Sequence, residues 1–280
     1  RKKFAPNSIT VFGKSSEETR EDVRRILSEY PHLKMLKVKL LGSGRGDETR
    51  CAAIAETVRE MRRRISYLID CNQGYSDFRS AATAIETARE TLGNLFLVEE
   101  PVGKQDWALS RQLTKSFDTP IFLDESIISL KDVQTAIEKD ACSGINIKLQ
   151  KAGGILPATK IADLCRKHSV SIMVGCMFES AIGISAGINF AQSQRGVKVT
   201  DLDYDLALPN VFSETLPFEK GVRKTLGRPG LGVSIDLEKL MDAKKKKLIA
   251  FPNELLRHLP IRTPRIPRHP QARPRTFRNS

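Results

Sequence analysis

From residue 8 to about residue 205 one pattern recurs: a short apolar run, then an amphipathic stretch of about 12–16 residues. The strand-like runs are "ITVFG" (9–13), "MLKVKL" (35–40), "ISYLID" (65–70), "LFLVEE" (95–100), "IFLDE" (121–125), "GINIK" (144–148), "SIMVG" (171–175) and "VTDLDYD" (199–205). Helix signals lie between them. Ser15 and Glu18 in "SSEE" form a capping box, and "SLKD" opens another helix at Ser129. "GDETRCAAIAETVREMRRR" and "AATAIETARETLG" are amphipathic, the second closing on Gly93. Strands that alternate with helices pair in parallel, because each helix carries the chain back to the start of the next strand. Eight such strands with seven helices between them favour a closed α/β barrel, of the (β/α)8 type, over a doubly wound sheet. No GxGxxG follows the first strand, which counts against a dinucleotide fold. Beyond the eighth strand "RPGLGVSID" (228–236) reads as a turn into a short closing strand.

In such barrels chemistry sits at the C-terminal ends of the strands. Strand 2 ends with Lys37 and Lys39, strand 3 with Asp70 and Asn72, strand 4 with Glu99 and Glu100. Strand 5 ends with Asp124 and Glu125, strand 6 with Lys148, and strand 7 runs toward Glu179. Strand 8 carries Asp203 and Asp205. A lone acid after a strand is more often a helix cap. Seven of eight strand ends carrying charge describe one polar mouth.

The stretch "LKMLKVKL" (33–40) sharpens this. Lys37 and Lys39 are two apart, so in a strand they share a face. Two like charges side by side in a barrel are costly unless something uses them. Asp70, Glu99 and Asp124, on three consecutive strands, offer an oxygen-only site suited to Mg2+ or Mn2+. Lys148 on strand 6 stands roughly across the barrel from strand 2. Lysines around a divalent cation point to proton removal next to a carboxylate, with the cation stabilising an enediolate. The neighbouring positive charges are expected to lower the lysine pKa values toward neutrality. Histidine catalysis is disfavoured: His258 and His269 lie in the tail, and His32 and His168 precede strands. No G-x-S-x-G is present.

The net charge of +13 does not describe the body of the chain. Residues 243–280 hold 11 Lys and Arg against one acid, Glu254, which leaves +3 for residues 1–242. The tail also holds six of the 14 prolines. Such a segment cannot build a core and is expected to be disordered, and any nucleic-acid contact is expected through it alone. Five cysteines without a CxxC point to reduced thiols and a cytoplasmic protein rather than a disulfide framework or zinc site. No apolar run is long enough for a membrane span, and no signal peptide is visible.

"KVK", "DCNQG", "VEEP", "DES", "NIKLQKAGG", "GCMFES" and "PGLG", in that order and spacing, resemble the barrel of the enolase superfamily, muconate-lactonising subgroup. The resemblance covers about residues 8–236 and implies a modified (β/α)7β barrel. Residues 1–7 would be a linker from an N-terminal cap domain, and residues 237–280 a basic extension the family does not share. "DLDYDL" looks most like the D-x-D of dipeptide epimerases of the L-Ala-D/L-Glu type. The resemblance then implies a dipeptide substrate whose free amino group is bound by Asp203 and Asp205. It implies that Asp70, Glu99 and Asp124 hold Mg2+ and that Lys39 and Lys148 transfer protons on opposite faces of the α-carbon. Lys37 would orient the substrate carboxylate and depress the pKa of Lys39, and Lys151 would start a helix or stand behind Lys148. Other members of the subgroup (N-succinylamino acid racemases, o-succinylbenzoate synthases, muconate cycloisomerases) and a capless inactive barrel are the alternatives. A homo-oligomer is left open.

Overall fold

The computed structural model describes residues 4–13, 15–40, 42, 44–207 and 213–245. The first compact unit, residues 1–236, is a barrel. Its elements run β1 (Ser8–Val11), α1 (Ser16–Glu29), β2 (Met35–Lys39), α2 (Arg45–Glu60), β3 (Ser66–Asp70), α3 (Phe78–Leu92) and β4 (Leu95–Glu99). They continue α4 (Trp107–Ser116), β5 (Ile121–Leu123), α5 (Leu130–Glu138), β6 (Gly144–Ile147), α6 (Leu149–Ala152), α7 (Ile155–Lys167) and β7 (Ser171–Gly175). The series closes with α8 (Ala181–Ser193), β8 (Val197–Asp201), α9 (Tyr204–Ala207), β9 (Phe218–Glu219) and β10 (Val222–Arg223). β1 to β8 form one parallel sheet in sequence order. A parallel bridge from Asn7 to Thr200 draws its two edges together, with the Thr200 N–H donating to the Pro6 carbonyl at 2.9 Å. Residues 6 and 7, read as part of a linker, thus take part in closing the sheet.

The local signals act as the sequence suggests. Both capping boxes form, Ser15 with Glu18 and Ser129 with Asp132, and Gly93 caps α3 at a φ of 80°. Side chains alternate along each strand. Leu36, Val38 and Ile69 face the helix layer, in a core shared with Val23, Ile26 and Ile54. Met35, Leu68, Leu97, Phe122, Met173 and Val199 fill the barrel interior. At Gly144 a Cβ would lie 2.2 Å from the Phe122 ring, so the missing side chain makes room for the largest member of this layer.

Two ends differ from expectation. β8 stops at Asp201, and Tyr204 to Ala207 turn into a helix, so "DLDYD" is not one strand. The segment 228–236 forms no strand, only a bridge from Ser213 to Ile235, whereas Phe218–Arg223 folds into a two-stranded hairpin. The second unit begins at Leu237. Its first nine residues, read from sequence as disordered, form α10 (Leu237–Lys245); the rest of the basic tail lies outside the described residues. No helix among the described residues is long and apolar enough to cross a membrane.

Candidate active site

One layer above the apolar interior, the same strand faces present Lys37, Asp70, Glu99, Asp124, Asn146 and Asp201. The period of two that buries Met35, Leu68, Leu97, Phe122 and Val199 places these polar residues two positions on. Lys37 sits at the centre and is only 3% exposed. Its Nζ lies 2.8 Å from Asp201 Oδ2, 2.9 Å from Glu99 Oε2 and 3.0 Å from Asp70 Oδ2. Asn146 Nδ2 donates to the other Glu99 oxygen at 2.6 Å. Gly175 leaves space for that amide, since a Cβ would stand 2.7 Å from Asn146 Oδ1.

The next turn outward forms the mouth. Lys148 Nζ is 2.5 Å from Asp124 Oδ2, and Lys151 Nζ binds both the side chain and the carbonyl of Asp124. Lys39 Nζ donates to Asn72 Oδ1 at 3.0 Å and lies 3.6 Å from Asp70. β2 and β6 are four strands apart in an eight-stranded sheet, so Lys39 and Lys148 face each other across the opening. Asp203 Oδ2 accepts from the Thr10 N–H at 2.7 Å. A cavity of about 200 Å³ joins these groups, and Phe12, Met177, Phe178 and Tyr204 line its rim. The Phe178 and Tyr204 rings are 4.6 Å apart, and Phe178 is 82% exposed.

Electrostatics here are dominated by carboxylates. Burial pulls the Lys37 pKa down, but Asp201, Asp70, Glu99 and Asp124 together carry it well above the ordinary lysine value. Lys148 is raised in the same way, burial being outweighed by Asp124 and Glu99. At Lys37 and Lys148 the shift is therefore upward, opposite to the lowering expected from sequence, because their carboxylate neighbours outweigh both burial and the nearby lysine charge. Burial pushes Glu99 up to about 8, with Asp70 and Asp124 adding to it against the pull of Lys37. Burial would also raise Asp124, yet Lys148, Lys151 and Lys37 hold it well below the carboxylate range. Asp203 is pushed up to about 6 by burial and by the Asp201 charge.

Asp70, Glu99 and Asp124 offer hard oxygen donors on adjacent strands, the right donor type for Mg2+ or Mn2+. Glu99 Oε2 has no hydrogen-bond partner beyond its ion pair with Lys37, whose ammonium stands where positive charge is needed. The residues fit a divalent ion in donor chemistry and in their placement on three consecutive strands. Among the described residues, however, no three His, Cys, Asp or Glu side chains converge as a ready ligand group. Their oxygens are turned to lysines, and holding an ion requires Asp124 to leave Lys148 and Lys151.

The sequence matches the family described as Enolase C-terminal domain-like over residues 18–240. The chain belongs to that family. It is 34% identical over 226 residues to the L-Ala-D/L-Glu epimerase of Bacillus subtilis, covering 80% of this chain and 60% of that enzyme. The structure of a substrate-liganded complex of that epimerase superposes with a TM-score of 0.74 at 32% identity, covering 82% of this chain and 63% of the other. A dipeptide epimerase from Cytophaga hutchinsonii complexed with Mg and the dipeptide D-Ala-L-Val shares the fold, with a TM-score of 0.77 at 24% identity over 86% of this chain and 64% of that one. The chain thus spans less than two thirds of the length of these relatives.

Within this enolase-family barrel some assignments from sequence change. Asp205 does not reach the mouth. It is buried against Arg223, with which it forms an ion pair, because the chain turns into α9 after β8. Asp201 takes the place beside Asp203: it follows Val199 on the inward face of β8, and both aspartates line the cavity. Read as one strand, 199–205 puts Asp201, Asp203 and Asp205 on one face alike, and only the turn into α9 separates Asp205 from the other two. Lys37 lines the floor of the cavity, and its ammonium is held by three carboxylates, Asp70, Glu99 and Asp201. Asn146 was missed, although "GINIK" places it two residues before Lys148 on the same face. Glu179 turns back to accept from the Met177 N–H at 3.0 Å, and Glu100 faces away, accepting from Ser126 and from the Asp124 N–H.

Glu100 supplies a pH test. Burial pushes its carboxyl up to about 7, against the lowering effect of the Ser126 and Asp124 hydrogen bonds. A carboxyl raised in the fold stabilises fully below its unfolded value near 4.3, and that stabilisation is lost as pH rises toward about 7. In the metal-free protein, chemical denaturation should show Glu100→Gln gaining on the unmodified chain between about pH 4.5 and 7, by on the order of 3 kcal/mol at most. Parallel pH profiles for the two proteins would refute this.

Proposed function

We propose that the chain is the barrel of an isomerase that inverts the α-carbon of a dipeptide by removing and returning its α-proton. The observation that carries this reading is the opposition of Lys39 and Lys148 across one mouth, with Asp201 and Asp203 on the strand end between β7 and β1. Two proton-transfer groups on opposite faces of a carbon are what inversion requires. Two buried carboxylates at one edge suit a free amino group on the substrate, and this anchoring would hold the α-carbon between the lysines. In this reading Asp70, Glu99 and Asp124 hold Mg2+, which when bound supplies positive charge beside the substrate carboxylate as the α-proton leaves. Lys148 is a poor base while Asp124 holds its proton at 2.5 Å, so it acts when Asp124 is otherwise engaged. Similarity to the Bacillus subtilis L-Ala-D/L-Glu epimerase supports a dipeptide as the substrate class.

The test is α-proton exchange in D2O, followed by proton NMR for a panel of dipeptides with Mg2+ present. Exchange with inversion at the C-terminal residue is expected. Asp201→Asn and Asp203→Asn should each raise KM at least tenfold, while Asp205→Asn should lower stability and leave KM within about twofold. Equal effects of the three variants on KM would remove the amino-group role from Asp201 and Asp203.

A further inference from the structure

We infer that Asn72 and Glu125 are positioning residues that aim the Lys39 ammonium into the mouth; this rests on the reading of Lys39 as a proton-transfer group. Lys39 has a flexible four-carbon stem, is about one-third exposed, and has only a long contact to Asp70 at 3.6 Å. Its short contact is the 3.0 Å bond to Asn72 Oδ1. Asn72 Nδ2 in turn donates to Glu125 Oε1 at 3.1 Å. The three groups come from the ends of β2, β3 and β5 and form one chain: ammonium, amide carbonyl, amide NH2, carboxylate.

The polarity of that chain is what does the positioning. An amide has an accepting and a donating end, and a flip exchanges them. A carboxylate only accepts, so Glu125 takes the NH2 end and leaves the carbonyl for Lys39. Flipping Asn72 would set NH2 against an ammonium and a carbonyl against a carboxylate, losing both bonds at once. The backbone fixes the amide further: Asn72 and Gln73 lie in the left-handed region at φ of 41° and 65°, and the Asn72 N–H donates to Asp70 Oδ1 at 3.1 Å. Two successive non-glycine residues in that region are held by their surroundings. Lys148 has no such relay, since it bonds Asp124 directly. The relay serves one lysine only, and its loss should be felt by one epimer only.

The test uses Asn72→Ala, Glu125→Ala and the transposed pair Asn72→Asp with Glu125→Gln. In the pair a carboxylate accepts from Lys39 and an amide donates to that carboxylate. Proton exchange is measured in D2O separately from each epimer of a dipeptide substrate. Exchange from the epimer that Lys39 deprotonates should fall at least tenfold in both alanine variants, with the loss in kcat rather than KM. Exchange from the other epimer should stay within about twofold, and the transposed pair should recover most of the loss. Independently of turnover, Lys39 should react severalfold faster with acetic anhydride in both alanine variants, read by peptide mass spectrometry, while Lys148 is unchanged. Equal slowing of both epimers, or no recovery in the transposed pair, overturns the relay. So does unchanged Lys39 labelling, even if no dipeptide exchanges. Absence of exchange in the unmodified protein overturns the epimerase reading instead and leaves the labelling result to decide the relay.

Discussion

Replacing Lys148 with Ala should abolish α-proton exchange from one epimer of the dipeptide and preserve it from the other, and Lys39→Ala should do the reverse. Lys39 and Lys148 stand on strands four apart in an eight-stranded barrel, so a carbon held between them meets one lysine on each face. Whichever lysine remains can remove the proton on its own face and return deuterium to the same face. Inversion needs both and should fall by about 10³-fold or more in either variant, within reach of what one general acid–base group contributes. NMR in D2O separates the outcomes, since exchange and inversion are read from the same sample. If each variant lost exchange from both epimers equally, the lysines would not be acting as opposed bases.

Lys37→Met should strongly destabilise the barrel in the absence of Mg2+. The side chain is close in size, so little packing is lost. What disappears is an ammonium within 3.0 Å of Asp70, Glu99 and Asp201, all of them buried. Removing one partner of a buried ion pair costs about 3–5 kcal/mol, because the opposite charge is left uncompensated. Here three carboxylates are stranded, and the upward push already seen on Glu99, to about 8, should grow. A carboxyl raised in the fold stabilises most at low pH, so the loss should be larger at pH 8 than at pH 5. Millimolar Mg2+ should return part of the stability, as any ligand of the folded state alone does. Denaturant melts at the two pH values, with and without Mg2+, decide the matter. A variant as stable as the unmodified chain at pH 8 without Mg2+ would mean the carboxylates do not depend on Lys37.

The opposed lysines and the Lys37 cluster occupy different layers of the barrel, and these layers are unequally legible in sequence. The strand–helix alternation, both capping boxes and the charged strand ends are local. Each follows from residues within one turn or one strand, and a period of two or 3.6 exposes them directly. That is why the charged ends of β2 to β6 are legible from sequence: Lys39, Asp70, Asp124 and Lys148 line the cavity, with Glu99 buried just beneath it. Asn146 is just as local and was passed over because an amide in a strand draws less notice than a charge.

Local pattern alone thus specifies an eight-stranded parallel barrel with a polar end, and most of the residues that line it. Tertiary structure decided who partners whom. "DLDYD" offers three aspartates at spacing two, and nothing local says that β8 ends at Asp201. Arg223, from a hairpin 18 residues further on, takes Asp205 out of the site. Lys37 and Lys39 share a face two residues apart on β2, yet one is buried among carboxylates and the other reaches Asn72 at the opening. Depth in the barrel separates them. Depth is set by the stagger of eight strands against one another, a quantity that no single strand carries.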